Sequence, residues 1–268
     1  MIITASQLYK KITKYDSLVS YKAINNAYNL SKKAHTNQFR GSGEAYFTHP
    51  LAVADYLTHM RLDSSTIITA LLHDVVEDNN DHSLERIQKE FGDKIAKIVD
   101  GLTKIGKLNT KGYSDVSIQA ENYRKMLLTL NEDVRVIIIK IADRLHNMQT
   151  LGSMPYEKQI QKASETLYIY APLAHRVGLY NIKNELENLS LRILEPREYN
   201  LIKNKIDKDL VNQEKYVESF EKLINESLVD QKIKYQIKGR HKSIYSIYNK
   251  IKTKNISFEE VYDRFAIR

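Results

Sequence analysis

Apolar residues recur at intervals of three and four from residue 5 to about residue 195, so this part of the chain is predicted to be helical almost throughout. The period is clearest over residues 18–34, 50–60, 64–77, 83–91, 95–102, 117–130, 132–151 and 156–177. Start and stop signals punctuate these segments: Ser83 precedes Leu84 and Arg86, Gly92 follows Phe91, and Asp133 stands near the start of the next helix. Pro155 and Pro172 read as first-turn or kink positions. Two glycine-bearing loops are expected between helices, Arg40-Gly41-Ser42-Gly43 and Gly101 through Gly112. Loops held between rigid helices are where function tends to sit.

After Pro196 the pattern changes. A lysine-rich amphipathic helix runs to about Asp230, residues 233–237 alternate like a strand, and Gly239-Arg240 reads as a turn. A short helix through Lys252 and a strand over 261–268 follow. Two strands and one helix cannot bury both faces of a sheet, so this second unit is expected to be incomplete as an independent domain. The predicted fold class is mostly α: a helical bundle over residues 1–195, then a linker helix and a partial α/β segment over 196–268.

Composition narrows the setting. With 42% hydrophobic residues and a mean hydropathy of −0.47, the chain has enough apolar surface for a core and the balance of a soluble protein. No apolar run approaches the roughly 20 residues that cross a bilayer, since residues 134–142 are interrupted by Arg135 and Lys140. The opening MIITASQLYKKITK lacks the pattern of a signal peptide, so no membrane association is expected and the cytoplasm is the expected address. The absence of cysteine removes disulfides, thiolate nucleophiles and Cys-type zinc sites together. The net charge is +8, and residues 196–268 hold 16 Lys and Arg against 11 Asp and Glu, a surplus of +5. These lysines alternate with acidic residues along helices, so a solvated face is the preferred reading and nucleic acid is not the expected partner.

Three segments carry chemistry. In IITALLHDVVEDN, helical spacing puts His73 over Glu77 and Asp74 over Asp78, beside core-like Ile67, Ala70 and Leu71. Ionisable groups next to a core must be paired, hydrated or bound to metal; the plainer alternative is a solvated helix end. In VRVIIIKIADRLHNMQTL, the residues Val134, Ile137, Ile138, Ile141 and Leu145 form an expected buried stripe. Asp143, Asn147 and Thr150 follow one another along another side. A carboxylate in so apolar a helix needs a strong partner. A metal is one candidate, and a surface pair with Arg144 or Arg135 is the other. Third, His49 precedes a helix-starting proline in YFTHP. The ordered set His49, His73-Asp74 and Asp143 offers two imidazoles and two carboxylates without sulfur. Such a set suits a first-row divalent ion such as Mn²⁺ or Fe²⁺ that keeps positions open for water and substrate.

Residues 20–195 resemble the N-terminal hydrolase (HD) domain of the RelA/SpoT-homologue family, whose members degrade and make (p)ppGpp. The matching stretches are AHTNQFRGSGEAYFTHPLAVADYL, ALLHDVVED, FGDKIAKIVDGLTKI, QAENYRKMLL, VRVIIIKIADRLHNMQTL and YAPLAHRVGLYNIKNELENLSL. The resemblance implies an HD-domain helical bundle that hydrolyses the 3′-pyrophosphate of (p)ppGpp, with one Mn²⁺ held by His49, His73, Asp74 and Asp143. It implies further that Glu77 and Asp78 assist water attack and position the pyrophosphate. Asn147 and Thr150 resemble residues that hold the ribose and 5′ region. Arg40, in its loop with Ser42, resembles an arginine that packs on guanine. Lys140 and Arg144 lie beside the site, where each meets phosphate or makes a salt bridge. The family usually carries Arg-Lys where this chain has Arg40-Gly41.

The tail resembles the opening of the same family's nucleotidyltransferase-like synthetase domain, through IKGRHKSIYSIYNKIK and FEEVYDRFAIR. Gly239, Arg240, Lys242 and Lys250 correspond to parts of its ATP-phosphate region and Asp263 to its first Mg²⁺-binding aspartate. The remainder of that domain does not follow, so synthesis by this chain alone is not expected. Other readings remain open at this level. The chain is alternatively another HD-type nucleotide phosphohydrolase, or a regulatory module that pairs with a separate synthetase chain or with itself. The basic tail is alternatively an RNA-binding element.

Overall fold

The protein is described by a computed structural model covering residues 3–78, 83–108, 133–228 and 239–267. Its helices are α1 (Ala5–Ile12), α2 (Tyr21–Ala34), α3 (Thr48–His59), α4 (Ser64–Leu72), α5 (Val75–Asp78), α6 (Leu84–Phe91), α7 (Asp93–Leu108), α8 (Val134–Gln149), α9 (Tyr156–Glu165), α10 (Ala171–Arg176), α11 (Tyr180–Leu194), α12 (Pro196–Leu228) and α13 (Ile244–Lys254). Two short strands, β1 (Gly239–His241) and β2 (Phe265–Ile267), pair antiparallel with Gly239 opposite Ile267. No helix among the described residues is long and apolar enough to cross a membrane. The predicted helix over 117–130 and the predicted strand over 233–237 lie outside the described residues.

Side-chain caps fix several helix starts. Thr4 and Gln7 form a capping box at α1, while Ser20, Asp63, Ser83 and Asp133 each accept a backbone N–H of the helix that follows. The amphipathic faces of α1 to α11 close on one continuous core. Helix α8 runs through its middle and packs on α3, α4, α7 and α11. A second, small cluster of Ile202, Ile247, Phe258 and Val261 ties α12 to α13 and to the turn before β2. This unit rests on α11, where the Tyr245 N–H donates to Asn188 Oδ1 at 3.0 Å.

The elements depart from the sequence expectation at informative places. Residues 64–77 do not form one helix: α4 ends at Leu72, His73 and Asp74 form a turn, and α5 restarts at Val75. The His73 ring contacts the Ala70 carbonyl at 2.7 Å, the acceptor that the Asp74 N–H would use in an unbroken helix. Gly101 lies inside α7, not in a loop, at a point where α7 and α8 approach closely. A Cβ on Gly101 would stand 2.9 Å from Val136 Cγ2. The segment 156–177 contains a π-helical turn over Thr166–Tyr170 just ahead of Pro172, whose ring cannot accommodate an ordinary helical carbonyl four residues back. Val134 is 44% exposed and so leaves the predicted stripe, whereas Val136 and Ile139 enter it. In the tail, Gly239 and Arg240 belong to β1 instead of a turn. The last strand is confined to Phe265–Ile267 by a 3₁₀ turn over Tyr262–Arg264.

Candidate metal centre

Three rigid elements converge on one buried point. His49 stands in the first turn of α3, His73 and Asp74 occupy the turn that ends α4, and Asp143 projects from the middle of α8. All four are buried, none more than 8% exposed. The ligating atoms of His49, His73 and Asp74 lie within 4.8 Å of one another. Asp143 closes the group, its Oδ1 standing 3.1 Å from His49 Nε2 and 4.0 Å from His73 Nε2. Asp74 Oδ2 is 3.2 Å from His73 Nε2 and 3.7 Å from His49 Nε2, and it accepts the Tyr46 hydroxyl at 2.9 Å.

These residues fit a divalent cation. A carbonyl only accepts, so the contact to Ala70 fixes the His73 proton on Nδ1 and leaves Nε2 for the centre. His73 Nε2 is buried and faces the Asp74 and Asp143 carboxylates at 3.2 and 4.0 Å, so both imidazoles turn this nitrogen to the same point. Two imidazole nitrogens and two carboxylates within one pocket are a donor set for a first-row divalent ion, and hydrogen bonds from Tyr46 to Asp74, from His73 to the Ala70 carbonyl and from Asn147 to Asp143 orient three of them.

The charges agree with the geometry. Burial raises the Asp74 carboxyl, but the His73 charge and hydrogen bond outweigh it and hold Asp74 below the usual range. Burial likewise opposes ionisation of Asp143, and Lys140 and His49 together reverse it. Burial alone pushes the His73 imidazolium down; Asp74 and Asp143 overcome it and raise His73 to about 9. Both carboxylates are therefore ionised and facing imidazole nitrogens. The surface pairing of Asp143 with Arg144 or Arg135 is not found. Asp143 meets Lys140 at 3.3 Å and accepts from Asn147 Nδ2 at 2.6 Å, while Arg135 pairs with Asp133 and Asp63.

A cavity of about 490 Å³ opens beside the cluster. Arg40, Lys140, Arg144, Asn147 and Thr150 line it together with His49, Asp74 and Asp143. Arg40 reaches across from its loop: Nη2 donates to Asn147 Oδ1 at 3.1 Å and to Thr150 Oγ1 at 2.8 Å, and Nη1 stands 3.2 Å from His146 Nδ1. Arg144 pairs with buried Glu165 at 3.0 Å and lies over the Tyr170 ring at 4.1 Å. Ser42 is exposed on the same loop and outside the cavity wall. The backbone of Glu77 and Asp78 lies in α5, directly after the His73-Asp74 turn, and their side chains lie outside the described part of the structure.

Three site residues escape the sequence reading. Tyr46 and His146 sit in the quoted motifs, three residues from His49 and Asp143 respectively, and their spacing was the available signal. Lys162 reaches the cavity from α9, a segment with no local hint of it. In the tail, the side chain of Arg240 lies outside the described part, while Gly239 pairs within β1. Lys242 and Lys250 grip Asp263 from two sides at 2.7 and 2.6 Å, holding its carboxyl well below the usual range.

The HD domain family model matches residues 27–180, more than half of the chain. A GTP pyrophosphokinase of Myxococcus xanthus is 43% identical over 258 residues, covering 96% of this chain and 34% of that protein. A guanosine-3′,5′-bis(diphosphate) 3′-pyrophosphohydrolase of Haemophilus influenzae is 42% identical over 239 residues, covering 89% of this chain and 35% of that protein. The chain thus spans about a third of the length of the curated relatives it matches. Among solved structures, a metazoan orthologue of SpoT that hydrolyses ppGpp has the same fold at a TM-score of 0.52 and 23% identity, over 66% of this chain and 97% of that one. The chain belongs to the HD domain family, and its relatives there are of the RelA/SpoT kind.

Proposed function

We propose that this chain hydrolyses (p)ppGpp to GDP or GTP and pyrophosphate, using one Mn²⁺ held by His49, His73, Asp74 and Asp143. The observation that carries the reading is the buried convergence of two imidazole Nε2 atoms and two ionised carboxylates beside a cavity that Arg40, Lys140, Asn147 and Thr150 line. The pyrophosphohydrolase relative from Haemophilus influenzae supports the substrate. A bound divalent ion supplies Lewis acidity, making water more acidic and offsetting phosphate charge.

The chain's own residues do the rest. Asp74 and Asp143 bring two negative charges that a cation neutralises, so the centre accepts a diphosphate only when loaded. Glu77, with Asp78, orients or deprotonates the attacking water, a role worth about 10²–10⁴-fold in rate. Lys140 stands at the cavity wall beside Asp143 and is placed to meet a phosphate oxygen. Asn147 and Thr150 face the ribose and 5′ side one and two turns further along α8. Arg40 holds these two through the edge of its guanidinium, and its flat faces remain for guanine. Ser42 reaches the substrate only through its loop.

Residues 239–267 are read as a nucleotidyltransferase-like α/β segment, supported by the β1–β2 pair beside α13 and by the Lys242–Asp263–Lys250 cluster. The decisive experiment for the hydrolase is pyrophosphate release from ppGpp with and without Mn²⁺, beside an Asp74→Ala control. Manganese-dependent release that disappears in the control is expected. A folded, Mn²⁺-loaded protein that releases none refutes the assignment.

A further inference from the structure

His146 is not among the four proposed ligands, yet it touches one of them and the cavity arginine at the same atom. Its Nδ1 lies 2.8 Å from His49 Nδ1 and 3.2 Å from Arg40 Nη1. A guanidinium has donors only, so the Arg40 contact requires a bare, accepting nitrogen on His146. Two bare nitrogens cannot hydrogen-bond, and 2.8 Å is too close for two that do not. The proton between the rings therefore belongs to His49 Nδ1. That leaves His49 Nε2, 3.1 Å from Asp143 and 3.7 Å from Asp74, as the nitrogen that faces the centre.

We infer that His146 is a positioning residue: it sets the tautomer and ring orientation of His49 for metal binding, and it joins that ligand to Arg40 through one shared nitrogen. The inference rests on reading His49, His73, Asp74 and Asp143 as a metal centre. It parallels His73, whose ring is fixed by the Ala70 carbonyl. The two histidines thus present Nε2 for different reasons, one held by backbone and the other by a side chain open to change. Position 146 follows Asp143 by three residues on α8, so one turn of one helix supplies both a ligand and the group that aims another.

Two measurements on the full chain test this. In the ¹⁵N-labelled, metal-free parent, NMR is expected to find the proton on His49 Nδ1 and none on His146 Nδ1. A bare His49 Nδ1 overturns the inference without any variant having to fold. Calorimetric titration with Mn²⁺ then compares the parent, His146→Leu and His146→Asn. Removing a partner of this kind typically weakens metal about 10–100-fold, which is the loss expected in His146→Leu. His146→Asn restores affinity, since its side-chain oxygen accepts close to where Nδ1 stood. Equal affinity in His146→Leu and the parent overturns the inference and leaves the metal centre standing. A parent that binds no Mn²⁺ overturns the metal centre itself.

Discussion

Arg144 lines the cavity, and its sequence position offers it either to phosphate or to a salt bridge. The structure makes the second role measurable. Arg144 and Glu165 are 7% and 5% exposed and lie 3.0 Å apart, with the guanidinium over Tyr170. Breaking a buried ion pair from one side costs about 3–5 kcal/mol, because the remaining charge loses its main compensation. Lys162, 3.5 Å from Glu165, supplies part of that compensation and moves the expectation to the lower end. Arg144→Met should therefore cost about 3 kcal/mol. At roughly 2–4 °C per kcal/mol for a domain of this size, Tm falls by about 6–12 °C. The assay is thermal unfolding followed by circular dichroism on the metal-free chain, extended to Glu165→Gln and the double variant. Because the double variant removes both charges, it should be more stable than Arg144→Met alone. A Tm within about 2 °C of the parent, with KM for ppGpp raised severalfold, would show that Arg144 serves substrate and not α8.

Four further outcomes are expected. Apparent Mn²⁺ affinity should rise with pH up to about 9: below that value metal must displace the proton that Asp74 and Asp143 hold on His73, at about tenfold per pH unit for one proton. Calorimetry across pH 6.5 to 9 reads it, and a flat profile removes His73 from the ligand set. Tyr46→Phe takes a 2.9 Å hydrogen bond from Asp74 and should weaken Mn²⁺ about tenfold in the same titration with the fold unchanged. Gly101→Ala places a methyl 2.9 Å from Val136 and should lose about 1–3 kcal/mol by urea unfolding; an unchanged midpoint would mean that α7 and α8 separate freely. In Gly41→Lys the nearest atom to the added Cβ is the Ser153 hydroxyl, at 3.2 Å, so the fold should hold and KM for ppGpp should fall; an unchanged KM would mean that a cation at this position does not meet the nucleotide.

Helix type and the four residues that converge on the buried cluster were legible because each has a local cause. The repeat of apolar residues in α8 must be buried whatever surrounds it, and an aspartate within it must find a partner. The capping residues Ser83 and Asp133 act on their own helices. What sequence spacing could not show were effects of contact between distant segments. The break at His73-Asp74 arises where a side chain takes over a helical carbonyl, and the helical Gly101 lies where α8 approaches closely. Lys162 enters the cavity from a segment whose own pattern is an ordinary charged face.

The break in α4 has a functional logic that a continuous helix lacks. In a helix, adjacent residues point about 100° apart, so His73 and Asp74 could not both face one point without help. The helical hydrogen bonding lapses over His73 and Asp74, and burial of the flanking Leu71, Leu72 and Val75 holds that turn in place. Three of the four proposed ligands thus come from helix ends, where direction is adjustable, and the fourth from the middle of α8, where it is not. Asp143 is the fixed reference, and its helix also bears Lys140, Asn147 and Thr150 toward the cavity. A shift of α8 therefore carries the proposed metal ligand and the cavity-lining residues proposed to face the nucleotide together. Substitutions that loosen α8, such as Arg144→Met, should then raise KM for metal and for ppGpp in parallel, whereas Gly41→Lys, which leaves the Arg40–His146 contact in place, should move only the latter.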